Sequence, residues 1–146
     1  MSSEYLVKQL SVLAENRSGR LAAITEVLKK ATVNILGFTL AEGEGLGVLR
    51  LLVDDPMRAY DKLRYEGFTV SYTDVICVPM EDRPGGLWEI ADLLKQLNIN
   101  IIYTYAYRAK NDHKAVMVLR VHEMEEAIGK ILEAGHPILR STDVSS

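Results

Sequence analysis

Two loops of this chain hold residue types that could bind a small zwitterion. Glu15-Asn16-Arg17-Ser18-Gly19 and Glu81-Asp82-Arg83-Pro84-Gly85 each lead into a segment with helical apolar spacing. A loop that ends at a helix N-terminus exposes unpaired backbone N–H groups, here around Gly19 to Leu21 and Gly85 to Leu87. The helix dipole adds partial positive charge, so a carboxylate belongs there. Amide or carboxylate side chains nearby, Asn16, Asp82, Asn34 or Asn100, can accept from an ammonium group, which would match both charged ends of an amino acid. A purely structural role stands beside this one. Gly19 and Gly85 would then only allow the turn and a close helix-sheet approach, while the Asn residues bond backbone. Arg17 and Arg83 are expected to pair at the surface with Glu15 or Glu81.

Other chemistry has no matching set of residues. His113, His122 and His136 fall in a loop, a strand end and a helix end, without metal-ligand spacing, so no metal is expected. No Ser-His-Asp or Cys-His set can be assembled, and no cofactor is expected. Gly43 to Gly47 has no following Lys-Ser/Thr and leads into a strand, which reads as a hairpin and not a phosphate loop. Cys77 is the single cysteine, lies in the apolar run VICV and cannot form an internal disulfide, so a reducing cytoplasm is the expected compartment. The formal net charge of -3 has the wrong sign for a nucleic-acid partner. No export signal or membrane span is expected, because charge interrupts the apolar runs at Arg50 and Arg120.

The elements that must position the two loops come from an internal repeat. ENRSGRLAAITEVLKKATVNI from Glu15 aligns without a gap with EDRPGGLWEIADLLKQLNINI from Glu81, and Gly19/Gly85, Leu21/Leu87, Ile24/Ile90, Leu28/Leu94, Asn34/Asn100 and Ile35/Ile101 are identical. Past the hairpin, Val48 matches Val116, Ala59 matches Ala127 and Gly67 matches Gly135, so the second hairpin is two residues longer.

In the first copy Leu10, Val12 and Ala14 alternate as in a half-buried strand, and Leu21, Ile24, Val27, Leu28 and Ala31 recur at helical spacing. Asn34 to Ala41 and Val48 to Val53 are predicted strands, with Gly43 to Gly47 supplying left-handed hairpin positions. Asp55-Pro56 opens a second helix, Gly67 closes it, and Phe68 to Tyr72 is the fourth strand. The order is βαββαβ, repeated from about Asp74 to about Leu139. The fold expected is α+β: two ferredoxin-like modules, 1–72 and 73–146, packed side by side, each an antiparallel sheet with its helices on one face. Phe68 to Met80 is almost continuous strand-type sequence, so no flexible linker separates them.

Leu49, Leu51, Val53 and their counterparts Met117, Leu119, Val121 should face the helices. The opposite face carries Val48, Arg50, Leu52 and Val116, Val118, Arg120, too apolar for open water, which suggests a covering partner, most simply another copy of the chain. Tyr103, Tyr105 and Tyr107 share one side of a strand and are expected to pack there rather than stack on bases.

The glycine loops, with Val33-Asn34-Ile35 and Ile99-Asn100-Ile101 at the start of each second strand, resemble the pattern of ACT domains over about residues 8 to 140. The first copy departs from it, with Ser18 where the family often has Pro and Asn16 where the second copy has Asp82. The resemblance implies modules paired into an eight-stranded sheet, with ligand sites between one module's first loop and its neighbour's second strand, which would bring Asn16 towards Asn100 and Asp82 towards Asn34. It also implies a non-catalytic regulator that binds an amino acid and controls a metabolic enzyme or regulator. Specificity would then lie with side chains such as Leu13, Leu36, Trp88 and Ile102. The alternatives are a small enzyme on the same fold or an interaction subunit without ligand.

Overall fold

The computed structural model describes residues 2–15, 18–43, 45–109 and 114–144; Asn16, Arg17 and His113 lie outside these. A short 3-10 helix, Ser2–Tyr5, precedes β1 (Val7–Glu15), α1 (Arg20–Lys30), β2 (Ile35–Gly43), β3 (Leu46–Val53), α2 (Pro56–Tyr65), β4 (Val70–Glu81), α3 (Gly86–Gln96), β5 (Ile101–Arg108), β6 (Lys114–Val121), α4 (Met124–Glu133) and α5 (Ser141–Val144). The chain divides into two compact units, residues 8–73 and residues 74–144 with the N-terminal 2–7. β4 runs through the division, as the unbroken strand-type sequence requires.

In the first unit the strand order is β2-β3-β1-β4. β3 lies antiparallel between β1 and β2, pairing Val12 with Leu49 and Leu40 with the same residue from the other side. This register puts Leu10, Val12, Leu49, Leu51 and Val53 on one face, where they pack with Ile24 and Leu28 of α1 and Ala59 and Leu63 of α2. α2 begins as its sequence predicts: Pro56 occupies the first turn, and the Asp55 carboxylate accepts from the Arg58 N–H at 3.2 Å.

The second unit orders its strands β4-β6-β5 and packs Ile76, Val78, Met117, Leu119 and Val121 against Ile90, Leu94, Ile128 and Ile131. Tyr5 and Leu6 join this core. Among the described residues no fourth strand forms in this copy, and the Leu139 N–H donates to the Cys77 carbonyl at 2.9 Å. Pro137 brings no N–H, and the chain turns into α5 two residues after Leu139. Ile138 still fills the core.

Two sequence expectations need correction. Of the glycines in the first hairpin, Gly45 has a left-handed φ (82°), but Gly47 does not. Gly47 is a ladder residue of β3, paired with Ala14 and Glu42, where a Cβ would come 3.1 Å from the Ala14 carbonyl oxygen. The apolar second face also lacks the exposure that suggested a covering chain. Leu52, Val116 and Val118 are buried within the single chain. Tyr103, Tyr105 and Tyr107 are half-buried, opposite Arg120, Val118 and Val116.

Candidate ligand site

The end of the first unit where β1 passes into α1 borders a cavity of about 150 Å³. Ile24, Leu40 and Leu49 give it apolar walls, Gly19 and Leu21 bring the start of α1 to its mouth, and Glu15, Arg20 and Glu42 also border it. Gly47 also lines it. The missing side chain there keeps space open between β2 and the helix.

Gly19 turns the chain into α1 with φ 89°, a conformation that L side chains rarely adopt, and it has no side chain with which to cap the helix. The first helical bond runs from the Ala23 N–H to the Gly19 carbonyl at 2.9 Å, so the N–H groups that precede it have no intrahelical acceptor. No acidic residue stands in the first turn of α1 to offset the dipole. Arg20 also lines the cavity. Its guanidinium carbon lies 5.0 Å from the centre of the Phe68 ring, and its Nε is buried without a hydrogen-bond partner.

The matching end of the second unit is organised differently. Gly85 makes the same left-handed entry (φ 88°), but Gly86 follows where the first unit has Arg20. Gly86 is buried, and a Cβ there would collide with the Glu81 carbonyl oxygen. The Gly86 N–H donates to the Arg83 carbonyl at 2.9 Å. Glu89 occupies the first turn of α3 and bonds Arg83 at 2.6 Å, so Arg83 pairs with this residue and not with Glu15 or Glu81. The Asp82 carboxylate is held by Arg108 of β5 at 2.7 Å. Leu87 beside them is exposed.

Asn34 and Asn100 sit at the other end of their sheets. Ile35 pairs with Val53 and Gly43 with Leu46, so the length of β3, about 24 Å at 3.4 Å per residue, separates Asn34 from the Gly19 loop within its own unit. The Asn34 N–H donates to the Asp54 carboxylate at 2.9 Å, and its side chain is exposed. Asn100 borders a shallow space of about 80 Å³ with His122, Glu123 and Lys130. Leu13, Trp88 and Ile102 are exposed, and neither they nor Leu36 line the cavity beside α1.

Leu40, Glu42, Gly47 and Leu49 were not singled out by sequence as site residues. Their signal is the hairpin register, because a residue of β2 faces α1 only if it opposes Gly47, Leu49 or Leu51. Burial pushes the Cys77 thiol up to about 12, which leaves it protonated and unreactive at neutral pH. Among the described residues no group of three His, Cys, Asp or Glu side chains could hold a metal ion, and no helix is long and apolar enough to cross a membrane.

A family model described as an ACT domain pair matches residues 5–145. Among solved structures the chain is similar to protein BT0572 from Bacteroides thetaiotaomicron, with 34% identity, 97% of each chain covered and a TM-score of 0.87. It shares its fold with the ligand-free regulatory subunit of aspartate kinase from Thermus thermophilus, at 12% identity, 90% of this chain and 95% of that one, and a TM-score of 0.61. Aspartokinase III of E. coli, solved in complex with lysine and aspartate, aligns over 90% of this chain and 31% of its own at 15% identity, with a TM-score of 0.52. No curated protein matches the chain.

Proposed function

The chain belongs to the ACT domain family, as a pair of its modules, and from that premise we propose that it is a non-catalytic regulator that binds a small amino acid at the α1 end of its first module. The observation that carries this reading is the cavity itself, which joins a helix start whose N-cap Gly19 makes no side-chain cap, the acidic residue Glu42 of β2 and apolar walls. An amino acid's carboxylate meets the N–H groups around Leu21, its ammonium meets Glu42, and its side chain lies among Ile24, Leu40 and Leu49. A volume of about 150 Å³, below the roughly 300–1,000 Å³ of drug-sized sites, suits a small ligand such as a small amino acid.

Two of the similar proteins support the same kind of role, one a regulatory subunit and the other solved in complex with lysine and aspartate. The effect on a metabolic enzyme or regulator follows if the ligand changes how this chain meets that protein. A thermal-shift panel of the free amino acids tests the first step, because a ligand that binds the folded state raises its melting temperature by mass action. A small aliphatic or polar amino acid should give a saturable rise. No shift with any amino acid, confirmed by calorimetric titration of the same panel, would contradict the reading.

A further inference from the structure

The arginines at the two helix starts are held differently. Arg83 and Arg108 at the α3 end each meet a carboxylate, Glu89 at 2.6 Å and Asp82 at 2.7 Å. Arg20 at the α1 end pairs with no carboxylate among the described residues. Its guanidinium carbon stands 5.0 Å from the centre of the Phe68 ring, and its Nε stays buried without an acceptor. A ring face attracts the cation, yet it leaves a buried donor unpaired, and such a donor in a folded protein calls for an explanation. Both partners of the contact are confined to the first module, because the repeat has Gly86 in place of Arg20 and His136 in place of Phe68. The contact also lies between two spaces. Arg20 borders the cavity beside α1, while Phe68 borders a groove of about 410 Å³ between α1 and α2, with Ala23, Val27 and Tyr65.

We propose that Arg20 is a ligand-operated latch with two seats, the Phe68 ring and the carboxylate of an amino acid in the cavity, and that taking the second seat uncovers Phe68 in the groove between α1 and α2. The inference rests on the amino-acid reading of the cavity. The second seat is the stronger one, because a guanidinium and a carboxylate form charge-assisted, bidentate hydrogen bonds, which also give the buried Nε its acceptor. The carboxylate then lies between Arg20 and the N–H groups around Leu21. A ligand without a carboxylate cannot draw Arg20 from the ring, so the latch selects amino acids over the amines that share their side chains. Binding is thereby carried from the cavity to the helix side of the same module, where Phe68 and Tyr65 border the groove.

The chain has two phenylalanines, so labelling with 4-fluorophenylalanine gives one fluorine resonance each for Phe38 and Phe68, assigned with Phe38→Leu. The twenty free amino acids, added singly to the full chain, should include one that raises the melting temperature and moves the Phe68 resonance. The amine that lacks its carboxylate should move neither. Calorimetric titration with that amino acid should show opposite effects at the two seats. Arg20→Met should weaken binding by roughly ten- to a hundredfold, and Phe68→Leu should tighten it by about two- to fivefold, because the competing seat is gone. In the double variant Phe68→Leu should add nothing to Arg20→Met, an outcome that a packing role for the ring would not produce. If Phe68→Leu does not fold, the fluorine shift decides. An amino acid that binds Arg20→Met undiminished, binds the folded Phe68→Leu more weakly, or leaves the Phe68 resonance unmoved overturns the latch and leaves the amino-acid reading standing. Failure of every amino acid to bind overturns both.

Discussion

The two helix starts of this chain derive from one repeated motif and have diverged in opposite directions. At α1 the first turn has no carboxylate, Gly47 leaves space under β2, and Glu42 lines the resulting cavity. At α3 the same positions are filled. Glu89 stands in the first turn, Ala115 takes the place of Gly47, and Arg108 takes the place of Glu42 and binds Asp82. One end is left for a ligand's charges, and the other supplies its own. A repeated fold thus preserves the geometry of a helix start far better than the electrostatics that decide what it binds.

The largest effect that sharpens this contrast should come from Gly86→Ala. The new Cβ would meet the Glu81 carbonyl, a backbone atom that cannot rotate away, so we expect a loss of roughly 3 kcal/mol in urea unfolding. Arg20 already has a Cβ at the matching place, and Arg20→Ala should cost far less. Equal costs would mean that the two helix starts pack alike.

Next in size are the ligand contacts. Glu42→Gln removes a charge-assisted hydrogen bond worth roughly 1.5–3 kcal/mol, which corresponds to about a ten- to hundredfold weaker amino acid in calorimetric titration. Gly47→Ala, which writes the second module's residue into the first, should weaken binding similarly by filling the cavity. Asp82→Asn and Asn100→Ala should leave affinity unchanged, and a loss in either would move the site away from the first module.

A smaller effect distinguishes the helix ends. Thr32 and Asn98 both follow their helices with φ 58°, a conformation that costs asparagine less than a β-branched residue. Thr32→Asn should therefore stabilise the first unit by about 1 kcal/mol, and Asn98→Thr should destabilise the second by a similar amount. Smallest of all is Arg108→Gln. Its pair with Asp82 is exposed, so thermal unfolding should change by less than about 1 kcal/mol.

The repeat, the helix starts and the alternation that turns Leu49 and Leu51 to the helices were legible in the sequence because they rest on local periodicity and on glycine's backbone freedom. The cavity was not. Leu40 and Gly47 meet α1 only through the β2-β3 register, a non-local fact that a Gly-rich hairpin leaves open. Asn34 and Asn100 each lie a strand's length from the glycine loop of their own module, and the resemblance pairs each with the other module's loop instead. The partner of Arg83 was missed because a helical first turn puts Glu89 nearer than either loop carboxylate. The open second face was misjudged because strand alternation shows which residues point away from the helices and not what covers them.

The stoichiometry of binding tests the central claim most directly. Calorimetric titration of the full chain with the amino acid that gives the largest thermal shift should fit one site per chain, and that site should be lost in Gly47→Leu while the chain stays folded by circular dichroism. Two equivalent sites per chain, or undiminished binding in the folded Gly47→Leu variant, would contradict the assignment of the ligand to the first module.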